Sequence, residues 1–255
     1  MPFDLVTIPC LSDNYAFLLR DLDSGSVALI DAPEAGPIAA KLNELGWTLT
    51  EIWLTHHHPD HIQGVPDLLA KYHARVIGAK ADEQRLPKLD QALSDGDTFQ
   101  FGGHQVQVID VSGHTLGHVA FYVSAAKCVF TADSLMALGC GRLFEGTPAQ
   151  MWESMQKLMR LPSDTTVCSG HEYTQSNAKF ALTVDPENAA LISRAREIDQ
   201  ARANGVPTVP STLSLELETN PFLRPFDPEI RALLGMVNAT DTDVFAEIRA
   251  RKDRF

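Results

Sequence analysis

The segment Thr55-His56-His57-His58-Pro59-Asp60-His61 places four imidazoles and a carboxylate within seven residues, directly after the apolar run Ile52-Trp53-Leu54. Ligands this dense need a rigid strand end to aim them. Side chains alternate faces along a strand, so His56 and His58 leave the strand end on one face while His57 points to the other. After Pro59 the chain is expected to turn, and Asp60 and His61 then open the amphipathic stretch Ile62 to Tyr72, which reads as a helix. A His-x-His-x-Asp-His run at a strand end points to a metal centre, and one ion could not use every donor in it.

Further ligand types follow downstream. His114 lies in Ser112-Gly113-His114-Thr115-Leu116-Gly117-His118 after the mostly apolar run Val106 to Val111; Asp133 ends the run Cys128 to Ala132; His171 ends Val167-Cys168-Ser169-Gly170. Each falls at a strand exit, as in a sandwich whose loops converge on one rim. With His56, His58, Asp60 and His61 they make a seven-ligand set, which suits two borderline divalent ions such as zinc, with open positions for water. Asp133 is the expected bridge, because one carboxylate can offer an oxygen to each of two neighbouring ions. His57 is expected to pack or hydrogen-bond behind the ligands. His118 reads equally as a support for the His114 loop or as a half-buried residue beside the strand Val119 to Val123. His73, after a helix, and His104, in the hairpin turn Gly102-Gly103-His104, read as surface residues.

Periodicity divides the chain. Short apolar runs with turn signals predict strands over residues 3 to 33, a helix follows over 36 to 46, and strands recur through 133. Thr147 and Pro148 predict a helix cap and first position for a helix over 149 to 160, ahead of a short strand over 165 to 169. Beyond His171, helical spacing dominates over Asn177 to Val184, Glu187 to Asn204, Asp227 to Val237 and Asp241 to Lys252, broken by loops at Pro207 to Ser211 and Asn220-Pro221. The expected fold class is α/β: a two-sheet sandwich flanked by helices over residues 1 to 173, then a smaller all-helical domain over 174 to 255.

Composition bounds the function. A chain of 255 residues with 44% apolar content can bury a full core. The start Met1-Pro2-Phe3-Asp4 carries no basic-then-apolar leader and no apolar run approaches the ~20 residues that span a bilayer, so the cytoplasm is the expected compartment. Cys10, Cys128, Cys140 and Cys168 lack Cys-x-x-Cys spacing and read as buried thiols, including Cys140 in its glycine-flanked loop near Asp133. A net charge of −12 argues against a nucleic-acid surface. The one basic concentration, Arg249, Arg251, Lys252 and Arg254, would by itself read as cations complementing a helix C-terminus.

The Thr-His-x-His-x-Asp-His run, with the later His114, Asp133 and His171 in that order, resembles the metallo-β-lactamase superfamily, whose fold is an αββα sandwich. Four further motifs are similar to the hydroxyacylglutathione hydrolases, the glyoxalase II family: Cys10-Leu11-Ser12-Asp13-Asn14-Tyr15, Gly139 to Gly146, Gly170-His171-Glu172-Tyr173-Thr174 and the closing Arg249 to Phe255. The resemblance implies hydrolysis of S-(2-hydroxyacyl)glutathione thioesters such as S-lactoylglutathione to glutathione and D-lactate, the second step of methylglyoxal detoxification, by a monomer with two divalent ions. It implies one ion on His56, His58 and His114, the other on Asp60, His61 and His171, and Asp133 with a water or hydroxide shared between them. It also implies that Arg249 and Lys252 hold the glycine carboxylate of glutathione, bordered by Arg142 and Tyr173. Phe144 stands where several members of that family carry a second pocket tyrosine, a loss of about 1 kcal/mol of hydroxyl contact.

Three other readings compete. A persulfide dioxygenase with a single iron would leave Asp60 and His171 idle as ligands, whereas zinc, iron and manganese all accept the full set. A metal-stabilised interaction module would show a closed coordination shell. A lactonase or β-lactamase shares the chemistry but does not account for a helical C-terminal domain ending in a carboxylate-binding cluster.

Overall fold

The computed structural model describes residues 2–255, which form two compact units. The first comprises the chain up to Asp110 together with Leu116–Ala132; the second comprises Val111–Thr115 and Asp133–Phe255.

In the first unit, β1 (Phe3–Cys10), β2 (Asn14–Asp21) and β3 (Val27–Ile30) form an antiparallel meander. Helix α1 (Ala35–Leu45) leads to β4 (Glu51–Leu54), the short helices α2 (Pro59–Ile62) and α3 (Val65–Leu69), then β5 (Arg75–Ala79) and β6 (Gln91–Leu93), with β3 to β6 parallel. These strands make one sheet in the order β1-β2-β3-β4-β5-β6. A second, antiparallel layer consists of β7 (Thr98–Phe101), β8 (His104–Asp110), β9 (Val119–Val123) and β10 (Cys128–Ala132). Strand β4 is buried along its length because both its faces are covered. Ile52 and Leu54 pack with Ile38 and Leu42 of α1 and Val65 and Leu68 of α3. Trp53 faces the other way, its ring centroid 5.1 Å from Phe99, 5.2 Å from Phe101 and 5.5 Å from Phe121. That alternation makes a helix-covered sandwich and fixes the phase in which the histidine run leaves β4.

The stretch Ile62 to Tyr72 is not the single helix that its periodicity predicts. It is divided between the end of α2 and the separate α3. Pro66 has no N–H to donate to Ile62, and its ring would clash with that carbonyl in a continuous helix.

The second unit opens with the β11 (Leu135–Met136) and β12 (Gly139–Cys140) ribbon. Helix α4 (Pro148–Met159) begins as predicted: the Thr147 hydroxyl accepts the Gln150 N–H at 3.3 Å and the Gln150 side chain returns to the Thr147 N–H at 2.9 Å, a reciprocal cap. The short strand β13 (Thr166–Ser169) pairs antiparallel with β14 (Ser211–Thr212). The helices are α5 (Thr174–Val184), α6 (Ala189–Ala203), α7 (Leu213–Thr219), α8 (Pro228–Leu234) and α9 (Asp241–Arg254). Ala178 and Ala181 of α5 pack on Leu191, Ala195 and Ile198 of α6, and Trp152 of α4 lies 5.8 Å from Phe245 of α9. Helix α7 has no counterpart in the sequence reading. Its Glu216 is fully buried, accepting the Leu138 N–H at 2.8 Å and the Asn220 amide at 3.1 Å and pairing with the Arg194 guanidinium. Among the described residues no helix is long and apolar enough to cross a membrane.

Candidate metal centre

In the first unit the histidine run leaves the exit of β4. Asp31, just past β3, organises it. One of its carboxylate oxygens accepts the Thr55 N–H at 2.9 Å, and the other accepts the Thr55 hydroxyl at 2.8 Å and lies 2.8 Å from His61 Nδ1. Because the Thr55 proton goes to Asp31, the Thr55 oxygen is the acceptor in its 3.0 Å contact with His56 Nδ1. His56 and His61 therefore both carry their proton on Nδ1 and their lone pair on Nε2. His56 Nε2 faces His58 Nδ1 at 3.2 Å, as predicted from the strand alternation. Two imidazole nitrogens at that spacing suit donors around one ion, since a tetrahedral site with bonds of 2.0 to 2.1 Å sets its donors about 3.3 Å apart. Asp60 lies 3.8 Å from His61 Nε2 and accepts the Asn14 amide at 3.1 Å.

His57 points away from this cluster to Asp82, 2.9 Å from its Nδ1, and Arg85 caps the same carboxylate. It stands where the alternation puts it. His118 is fully buried and stacks on His56, ring centroids 4.5 Å apart at 11°. It buttresses the His56 ring, a contact absent from both readings of it. His73 is exposed.

In the second unit a carboxylate stands between two imidazoles. Asp133 follows Ala132, whose φ of 41° turns the chain sharply at the strand exit. Its Oδ2 lies 3.4 Å from His114 Nε2 and its Oδ1 lies 3.3 Å from His171 Nε2. His114 Nδ1 sits 2.7 Å from the Arg142 carbonyl, which can only accept, so Nδ1 carries the proton and Nε2 the lone pair. Both separations exceed those of good charge-assisted hydrogen bonds and match donors that share an ion. Gly141 makes room for this arrangement: a Cβ there would collide with the Asp133 carbonyl and come within 3.0 Å of His114 Nδ1. The donor chemistry of both sets, imidazoles with carboxylates and with His56, His61 and His114 each holding the proton on Nδ1, fits divalent ions of the zinc type.

The basic cluster of the second unit is also engaged. Arg249, only 6% exposed, donates to the Cys140 carbonyl at 2.8 Å and pairs with Asp253 at 3.0 Å. Arg142 reaches the same Asp253 oxygen at 3.4 Å. Lys252 Nζ lies 3.3 Å from the Ser176 carbonyl and above the rings of Phe180 and Phe255. Burial, assisted by the charge of Arg249, lowers its pKa to about 8. Tyr173 stacks on His171 at 4.7 Å, and the exposed Phe144 ring meets His114 edge-on at 5.2 Å. All four cysteines are buried free thiols; burial pushes Cys140 up to about 11 despite Arg249 beside it. Asp31, Asp82 and Asn14 carried no role in the sequence reading. The available signal was an aspartate ending the run Val27 to Ile30, the same strand-exit placement that singled out Asp133.

A helix-covered two-layer sandwich with a histidine run at a strand exit is the metallo-β-lactamase architecture, and residues 12–171 match the metallo-β-lactamase superfamily model. Residues 172–255 match the model described as the hydroxyacylglutathione hydrolase C-terminus. The hydroxyacylglutathione hydrolase of Ruegeria pomeroyi is 66% identical over 255 residues, covering all of both chains. The crystal structure of the BLEG-1 B3 metallo-β-lactamase superposes with a TM-score of 0.67 at 20% identity, over 87% of this chain and 100% of that one, a likeness of fold. TTHA1623 in a di-iron-bound form gives 0.62 at 26% identity, over 86% of this chain and 100% of its own. The chain belongs to the hydroxyacylglutathione hydrolase family.

Proposed function

We propose that the chain hydrolyses S-(2-hydroxyacyl)glutathione thioesters, S-lactoylglutathione among them, to glutathione and a 2-hydroxy acid, as the second step of methylglyoxal detoxification. The observation that carries this reading is the Asp133 carboxylate flanked by His114 and His171 in a chain 66% identical throughout to a hydroxyacylglutathione hydrolase. On this reading His56, His58 and His114 hold one divalent ion, Asp60, His61 and His171 hold a second, and Asp133 serves both. Zinc suits the donors first, with iron and manganese as chemical alternatives. Such ions supply Lewis acidity and lower the pKa of a water towards about 7.

The chain's own groups do the rest. Asp31 and Thr55 hold the His56 and His61 rings in one tautomer, so the donor atoms need no rearrangement. Asn14 steadies Asp60 from the side. A thiolate leaving group, with a conjugate pKa near 8.5, departs without obligatory protonation, so no general acid is required of the protein. Arg249, Lys252, Arg142 and Tyr173 receive the glutathione moiety, its glycine carboxylate replacing Asp253 beside the two guanidiniums. Residues 1–173 would supply the chemistry and the pocket border at Arg142 and Tyr173, and 174–255 the Arg249 and Lys252 grip, a division of labour rather than of folding. Buried free thiols accord with a reducing cytoplasm, and we place the enzyme there as a monomer.

The test is hydrolysis of S-lactoylglutathione by purified, metal-analysed protein, beside a thioester lacking the glycine carboxylate. Efficient turnover of the first with a raised KM for the second is expected. Equal KM values would remove the glutathione assignment, and no turnover with metal bound would remove the hydrolase reading.

A further inference from the structure

We propose a separate divalent-cation site in the first unit, built from Asp21, Asp23 and His104, where the end of β2 meets the β7–β8 turn. One donor atom from each of these residues lies within 4.8 Å of the others. Asp21 is fully buried, and its Oδ1 accepts the Asp23 N–H at 2.8 Å and the Ser24 N–H at 3.4 Å. Its Oδ2 is buried too, yet accepts no hydrogen bond among the described residues. A buried carboxylate oxygen without a donor is costly, which makes this atom the unexplained feature of the region.

The surroundings hold a geometry that a cation would complete. His104 Nε2 lies 4.0 Å from Asp21 Oδ2, too far for a hydrogen bond. A tetrahedral ion with bonds of about 2.0 to 2.2 Å sets such donors roughly 3.3 to 3.6 Å apart, so a shift of about half an ångström in the half-buried imidazole would seat one. The histidine ring is fixed edge-on against Phe3 at 4.9 Å, and Phe3 pairs with Asp21 across β1 and β2. The turn before His104 takes φ values of 57° at Gly102 and 86° at Gly103, open to glycine, and a Cβ at Gly102 would land on the Asp21 carboxylate. An imidazole with two carboxylates selects zinc-like ions over calcium or magnesium, which prefer all-oxygen shells. This end of β2 lies a full strand of eight residues from Asn14, roughly 25 Å along the strand, so the site is independent of the donors at the β4 exit. An ion here would clamp the β1–β2 edge of one layer to the β7–β8 hairpin of the other.

Zinc chloride titrated into the metal-loaded enzyme by calorimetry tests this, with His104→Gln and Asp23→Asn as variants that leave the buried Asp21 intact. The wild type is expected to take up one further equivalent and to gain thermal stability with added zinc. Each variant should bind that equivalent at least about tenfold more weakly, with turnover unchanged. Absence of a further equivalent in the wild type, or equal uptake by both variants, would overturn the site.

Discussion

Asp31 adopts φ 57°, a region costly for residues other than glycine, and from there one carboxylate fixes both Thr55 and His61. Replacing it by asparagine substitutes a donor for one acceptor. Asp31→Asn is therefore expected to lower metal content by at least about tenfold in affinity, measured by competition with a chelator, while circular dichroism stays native. Asp133→Ala removes the carboxylate placed between His114 and His171; at least one metal equivalent and most turnover should be lost from a folded protein, and retention of two ions would refute its bridging role. Lys252 has an ordinary pKa of 10.5 but about 8 here, so its charge disappears as pH rises through about 8. KM for a glutathione thioester should rise above that pH, and Lys252→Met should have a flat profile. Stability moves in the opposite sense: between about 8 and 10.5 the unfolded chain binds the extra proton, so Lys252 makes unfolding progressively less favourable as pH rises through that window.

Helix α4 illustrates an element written into its local sequence. Thr147 and Pro148 announce its start, and removing the cap by Thr147→Ala should cost about 0.5 to 2 kcal/mol in denaturant unfolding without altering KM. The β4 exit was equally legible, because period-two alternation alone separates His56 and His58 from His57. What local pattern did not disclose depends on partners distant in sequence. Asp31 acquires its role from residues 24 and 30 positions away, and Asp82 from one 25 positions away. Glu216 gives α7 a buried charge that weakens any apolar periodicity, and its compensation by Arg194 comes from another helix. In Ile62 to Tyr72 the apolar spacing points to a single helix, but Pro66 divides the segment. His118 escaped because a stacked, buried imidazole has no signature distinct from a core residue.

At the scale of the whole chain, the sequence-family boundary at 171/172 and the compact units do not coincide. Helix α4, before that boundary, packs on α9 beyond it through Trp152 and Phe245. A fragment of residues 1–173 would expose that apolar face; it is expected to bind a hydrophobic dye and to lack the cooperative unfolding of the intact chain, whereas a native-like calorimetric transition would contradict this. The five residues Val111–Thr115 belong to the second unit although they lie between two segments of the first. Recombination between relatives is constrained by that thread. A crossover that exchanged everything after Ala132 would leave the His114 loop behind with a foreign Arg142 carbonyl and Gly146 to meet, so viable chimeras should inherit the short loop and the long C-terminal segment from one parent, as a single heritable piece divided in the gene.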